Sequence, residues 1–245
     1  MIKASSERPL GPRVDNWVPP PMPSGDILEG RYARLEPLSA EAHAALLYQA
    51  YAGADQVWDY LPYGPFSSAA LYHRWVREMV RGDDPVFYAV RDLETGLYGG
   101  VASFLRIAPQ AGSIEVGHIN FAPALQQTRA STEAMYLMMR WVFEVGYRRY
   151  EWKCDTLNLP SRRAAQRLGF SYEGVFRQAL VVKGRNRDTA WFAAIDKEWP
   201  ALREAYSAWL NPANFDTAGR QIERLGDLTS LVRISSDPAL AGGSS

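Results

Sequence analysis

Asn158-Leu159-Pro160-Ser161-Arg162-Arg163-Ala164-Ala165-Gln166-Arg167-Leu168-Gly169-Phe170-Ser171-Tyr172-Glu173-Gly174 is the stretch on which the fold turns. Asn158 carries a good N-cap side chain and Gly169 is a natural stop, so a short helix is expected between them. Tyr150 to Cys154, just before it, reads as a strand. Phe170 to Val182 and Asp188 to Ile195, just after it, read as a closing hairpin.

Upstream, Ala134, Met135, Leu137, Met138, Trp141, Val142 and Val145 form an apolar stripe at helical period, and Gly146 ends it. Ser113 to Phe121 reads as a strand. Strand, helix and strand from Ser113 to Cys154 should make a right-handed crossover that sets two strands parallel. Nearer the N-terminus, Arg31 to Leu35, Val86 to Val90 and Tyr98 to Ile107 read as strands, with Glu94-Thr95-Gly96 as a turn. Ser39 caps a helix to about Tyr51, Ser67 or Ser68 caps another to about Arg81, and a last helix runs from about Trp199 to Leu210. The expected class is α/β (α+β): a mixed, mostly antiparallel sheet of about seven strands with helices on both faces.

Ligands in such sheets sit beyond the carboxyl ends of parallel strands, at a helix N-terminus. Here that is Phe121 to Thr132. Ser131 and Thr132 can add hydroxyls there and Arg129 a cation, although an ordinary capped helix start looks the same. Between Arg140 and Arg187 basic residues exceed acidic ones by seven, in a chain of zero formal charge. Such a lobe can steer an anionic ligand, or be a solvated face.

Several short motifs follow one another in order: Glu115-Val116-Gly117-His118, Thr132-Glu133-Ala134, Asn158-x-x-Ser161, Leu168-Gly169-Phe170 and Glu173-Gly174-Val175-Phe176-Arg177. Gly30-Arg31 followed by Leu35 opens the series, and Asp188 closes it. In these the chain resembles the GNAT acyltransferase superfamily, especially its ribosomal-protein N-acetyltransferase (RimJ/RimL-like) branch, over roughly Leu28 to Leu210. The resemblance implies the GNAT fold, with a splayed parallel pair, and transfer of an acetyl group from acyl-CoA to a primary amine in a ternary complex. It implies that Ile119, Asn120 and Phe121 lie beside the thioester. It implies that Gln126, Gln127, Thr128, Arg129, Ala130, Ser131 and Thr132 cradle the pyrophosphate. Asn158 would hold the pantetheine arm and Ser161 would protonate the leaving sulfur.

The chain departs from the family's phosphate loop, Q/R-x-x-G-x-G/A, by placing Arg129 and Ser131 at its two small positions. Arg129 must then turn outward or touch the phosphates itself. Glu115 and His118 are the candidate bases. At i and i+3 on one strand they face opposite sides unless a bulge intervenes, and the family also uses water relays. Trp58, Tyr60 and Tyr63, in the loop Trp58 to Phe66, and Trp75 after it are the expected acceptor-binding residues; the rival reading makes these aromatics core, and Trp75 fits it better. A non-catalytic acyl-CoA-binding module and a longer donor such as succinyl-CoA are the rival readings; the acceptor is a small amine or a protein N-terminus.

The 245 residues suit one large domain. Balanced charge disfavours a general nucleic-acid binder, and no apolar run is long enough for a membrane span. The single cysteine, Cys154, excludes an internal disulfide and a Cys-based metal cage, and reads as a small buried hydrophobe. His43, His73 and His118 are scattered, so no metal is expected. A cytoplasmic protein is expected, with a homodimer left open. Six of the 16 prolines fall in the first 23 residues. The expected organisation is a Pro-rich arm over 1–24 (laid on the body, or a loose leader that is no secretory signal), one domain over 25–228, and a flexible tail over 229–245.

Overall fold

Eight strands form one sheet, in the order β1-β2-β3-β4-β5-β6-β8-β7. The strands are β1 (Leu28–Glu29), β2 (Ala33–Pro37), β3 (Val86–Asp92), β4 (Tyr98–Ala108), β5 (Ser113–Phe121), β6 (Arg149–Asp155), β7 (Ser171–Val182) and β8 (Arg185–Ile195). The helices are α1 (Ala40–Ala50), α2 (Ala69–Met79), α3 (Arg129–Glu144), α4 (Leu159–Arg167), α5 (Trp199–Trp209) and α6 (Leu225–Ser230). The structure, a computed structural model, describes residues 8 and 10–241. No helix among them is long and apolar enough to cross a membrane.

Only β5 and β6 run parallel, joined by the crossover through α3. Their pairing starts at Ser113↔Arg149 and ends at Val116↔Trp152, although both strands continue. The splay expected from the resemblance is therefore present. One strand more than the expected seven is found, because β1 is two residues long and carries no alternation to read.

Strand parity sorts the side chains onto two cores. Tyr88, Phe104, Ile114, Val116, Tyr150 and Phe192 face α3. Phe87, Ala89 and Val101 face α1 and α2, where they meet Leu47, Tyr72 and Trp75. Burying six such large side chains on one side alone is worth roughly 10 kcal/mol before entropy is counted.

The first long strand starts later than its pattern suggests, at Ala33. The N–H groups of Arg31, Tyr32 and Ala33 all donate to the buried carboxylate of Glu133 on α3. A Cβ on Gly30 would lie 2.4 Å from that carboxylate, so glycine permits the approach.

The expected flexible tail is corrected over 229–241. Thr229 is buried and donates to the Arg167 carbonyl, at 3.0 Å. Asp237, 1% exposed, pairs in bidentate fashion with Arg162 of α4 at 2.5 Å. A polar, Gly-rich composition concealed this strap, because one buried ion pair and a few backbone bonds fix it. Residues 242–245 of that tail lie outside the described residues. In the arm, Pro20 and Pro23 are buried and the Tyr147 hydroxyl donates to the Pro21 carbonyl. The arm therefore lies on the body there, while 1–7 and 9 lie outside the described residues.

Candidate functional site

A cleft of about 1160 Å³ opens where β5 and β6 separate. Three elements build it. The end of β5 supplies Ile119, Asn120 and Phe121; the loop into α3 supplies Gln126 to Thr132; α4 supplies Asn158, Ser161, Arg163 and Arg167. These are the expected thioester, phosphate and pantetheine residues, brought together. Ala130 alone among the loop residues is buried without lining the cleft.

The start of α3 explains how a loop without glycine stays open. Gln127 takes φ 60°, the left-handed conformation that this turn requires. Thr128 caps the helix, its hydroxyl accepting from the Ser131 N–H at 3.0 Å. The Ser131 and Thr132 hydroxyls both donate to the Thr128 carbonyl. Neither hydroxyl proton is therefore available to an anion, contrary to the sequence expectation. The N–H groups of Gln127, Arg129 and Ala130 keep no partner among the described residues. A pyrophosphate fits such a set of donors, backed by the positive end of the helix dipole.

Of the two courses open to Arg129, its side chain takes the outward one. Its side chain pairs with Glu94 at 3.0 Å and lies between the rings of Tyr32 and Phe215. The basic lobe shrinks in the same way. Arg149 pairs with Glu151 and Glu173, Lys153 with Glu115 and Glu151, and Arg162 with Asp237. Arg163 and Arg167 are the cations left at the cleft, and Arg167 donates to the Thr132 hydroxyl at 2.9 Å. The sequence reading counted Arg163 and Arg167 in the basic lobe without singling out either for the cleft. The signal was present: from Pro160 the helical spacing sets Arg163, Ala164 and Arg167 on one face.

On α4, the Asn158 side chain accepts from the Ser161 N–H at 3.1 Å, as an N-cap should. Pro160, at the start of the helix, is also favourable there. The Ser161 oxygen accepts a hydrogen bond from the Trp152 indole N–H at 3.0 Å. Burial pushes the nearby thiol of Cys154 up to about 11. Trp152, the last residue of β6 paired with β5, was not foreseen as part of the site.

The other face of the sheet holds the candidate bases. A bulge in β5, with Val101↔Asn120 followed by Ser103↔Gly117, puts His118 at φ 49°. His118 then packs against Phe87 and Tyr63, and Glu115 is on that face too. The bulge that the sequence reading named as the exception is present, and it sets both on one face. Burial, with help from the Arg106 and Arg187 charges, lowers His118 to about 4. Its Nδ1 lies 2.8 Å from the Tyr63 hydroxyl. Burial raises Glu115 against the pull of Lys153 and Arg106, whose nitrogens each lie 2.7 Å from its carboxylate. Neither residue lines the main cleft. Cys154 faces α4, so it cannot work with His118 across the sheet.

Two expected acceptor residues are core instead. Trp58 is 3% exposed and Trp75 7%, packed on each other and on Tyr72. Aromatic clustering in the sequence signalled packing as strongly as binding. Tyr60 does line the cleft, and its hydroxyl donates to the Leu157 carbonyl at 3.1 Å. Lys183, at the β7–β8 turn, reaches back to the Trp58 carbonyl. The loop and the hairpin thus meet over the second face.

Comparison with known proteins agrees with this geometry. The acetyltransferase (GNAT) domain model matches residues 33–171. A GCN5-related N-acetyltransferase structure from Brucella melitensis is 48% identical, covering 89% of this chain and 100% of that one, with a TM-score of 0.86. A probable GNAT acetyltransferase from Chromobacterium violaceum is 39% identical over 81% of this chain and 100% of its own, with a TM-score of 0.75. The acetyltransferase that modifies the N-terminal serine of ribosomal protein L7/L12 from Salmonella typhimurium shares the fold, at 21% identity over 69% and 99% of the two chains and a TM-score of 0.60. No curated protein sequence matches the chain.

Proposed function

This chain belongs to the acetyltransferase (GNAT) family as an acyl-CoA-dependent acetyltransferase, and on that premise we propose that it acetylates a primary amine by direct transfer in a ternary complex. The observation that carries the reading is the separation of β5 and β6 after Val116 and Trp152, which gathers Ile119–Phe121, the α3 start and Ser161 around one cleft. Acetyl-CoA supplies a thioester and is a substrate here. The N–H groups of Gln127 and Arg129, without partners among the described residues, hold its pyrophosphate, with Arg163 and Arg167 at the same cleft. The acceptor comes from the second face, through the same gap.

The amine attacks the thioester carbonyl, a C–N bond forms, and backbone N–H groups at the end of β5 steady the oxyanion. The C–S bond then breaks and sulfur takes a proton from the Ser161 hydroxyl. Trp152 already donates to the Ser161 oxygen, so that hydroxyl has its own proton free to give. The amine's proton passes to water, and water returns a proton to Ser161. His118 at about 4 is too weak a base for an ammonium group, and both ends of Glu115 are held by cations. The acceptor is a small amine or a protein N-terminus, the latter being the substrate of the structurally similar L7/L12 enzyme.

Ser161→Ala tests the assignment. Its cap bond is made by the backbone N–H, which alanine keeps. We expect kcat to fall by on the order of 10²-fold, with the KM for acetyl-CoA changing far less. Ser161→Cys should retain part of the activity. A variant that melts like the parent and turns over at the parental rate refutes the role of Ser161.

A further inference from the structure

β8 presents Arg187, Thr189 and Trp191 on the α1/α2 face of the sheet. The register places Trp191 opposite Lys153, and Thr189 opposite Asp155. Each of the three carries a buried polar atom with no partner among the described residues: Arg187 Nε, Thr189 Oγ1 and Trp191 Nε1. Thr189 is only 5% exposed. A buried donor left unmet costs about 1–3 kcal/mol, so three along one strand is a heavy cost for the folded protein alone.

The charges around them are matched, except one. Lys153 is held by Glu115 and Glu151, each at 2.7 Å, and its ammonium lies 3.7 Å from the centre of the Trp191 ring. Arg106 pairs with Glu115. The carboxylate of Asp155 accepts from the Leu157 N–H, and that of Asp84 from the Arg106 and Ile107 N–H groups. The Arg187 side chain makes no ion pair and no hydrogen bond among the described residues. The register, with Thr189 opposite Asp155, sets Arg187 just past the end of β6 and beyond the last β5–β6 pair, Val116↔Trp152, on the side of the sheet away from the acyl-CoA cleft.

We infer that the acceptor is an amine that also bears a carboxylate-class anion, which Arg187 binds with Thr189, while the Trp191 N–H takes a further oxygen along β8. Guanidinium is the side chain best shaped for two parallel bonds to a carboxylate, and an unpaired one beside unmet donors selects such a group. An amine without the anion leaves these donors unmet, and that is how a site rejects an analogue. The inference rests on the acetyltransferase reading for where the amine reacts, not for the anion site itself.

The test compares ω-amino acids with n-alkylamines of equal length, using acetyl-CoA as donor. The parent chain should prefer the amino acids by at least about 10-fold in kcat/KM. Arg187→Met should erase that preference by raising their KM, with the KM for acetyl-CoA and the melting temperature nearly unchanged, and Arg187→Lys should restore part of it. Equal use of alkylamines by the parent, or an equal loss for both series in Arg187→Met, overturns the inference. A peptide pair, acidic or neutral at its second residue, distinguishes a free amino acid from a peptide N-terminus as the source of the anion. A second readout needs no turnover: binding of N-acetyl-ω-amino acids to the chain, followed by ligand-observed NMR. Binding lost in Arg187→Met supports the site even if no amine is acetylated, which would count against the transfer reading alone. Failure of these ligands to bind the parent refutes the site whatever the activity.

Discussion

The two faces of the sheet at the β5–β6 gap are built on opposite plans. On the α3/α4 face the polar side chains answer one another: Thr128 to Ser131, Asn158 to Ser161, Trp152 to Ser161, Arg167 to Thr132. What stays free there is mainly backbone, the N–H groups of a helix start, with Arg163 beside them. On the α1/α2 face the free groups are side chains, with Arg187, Thr189 and Trp191 unmet beside the matched ions of Glu115 and Lys153. Backbone donors recognise a feature that many ligands share, such as a pyrophosphate. Side-chain donors recognise what is particular to one ligand. On the proposed reading, the invariant substrate uses the first face and the distinguishing one the second.

The comparison can be broken most forcefully at the strap. Asp237→Ala leaves Arg162 buried beneath α4 with no counter-charge, and removing one partner of such a pair costs about 3–5 kcal/mol. Denaturant unfolding should show that loss. Because α4 carries Asn158 and Ser161, the KM for acetyl-CoA should rise, whereas the preference among acceptors should hold. A loss below about 1 kcal/mol would mean that the strap does not fix α4.

The second face is broken at His118. Burial lowers its pKa to about 4, against about 6.5 when unfolded, so protonation favours the unfolded chain. The stability owed to neutral His118 is complete above about pH 6.5 and lost as pH falls toward about 4, about 3 kcal/mol in all. His118→Asn suits the left-handed backbone at φ 49° and removes the titrating group. Its unfolding free energy should fall less steeply over that range than the parent's; parallel curves would contradict the burial of His118.

The smallest effect sharpens the first face. Arg129→Gln should weaken acetyl-CoA binding by less than about 5-fold, because the guanidinium is engaged with a partly exposed Glu94. A loss beyond about 10-fold at low salt would mean that Arg129 leaves Glu94 to hold the phosphates.

Much of the first face was legible because its residues are neighbours in the chain. The cap at Asn158, the stop at Gly169, the strand Ser113–Phe121 and the helix start near Thr128 each rest on local preferences. Glu133 shows where local reading ends. It looks like a favourable first-turn acid, yet its carboxylate serves three N–H groups about 100 residues away. Trp58 and Trp75 looked like a binding surface and turned inward, since an aromatic loop carries no mark of which side faces water.

The sequence by itself determined the elements, their order and the parallel crossover, because capping, period and turn chemistry act within a few residues. It also placed Ile119–Phe121, the loop 126–132, Asn158 and Ser161 together through their motifs. Tertiary structure alone decided which charges stay free. Arg129, Arg149, Arg162 and Lys153 look alike in the chain, and each is neutralised by an acid from another element. Arg187 differs from them because β8 sets it on a face where the nearby carboxylates of Glu115, Asp155 and Asp84 already have other partners. Pairing of charges depends on distance in space and on burial, and neither is written in a local stretch of residues.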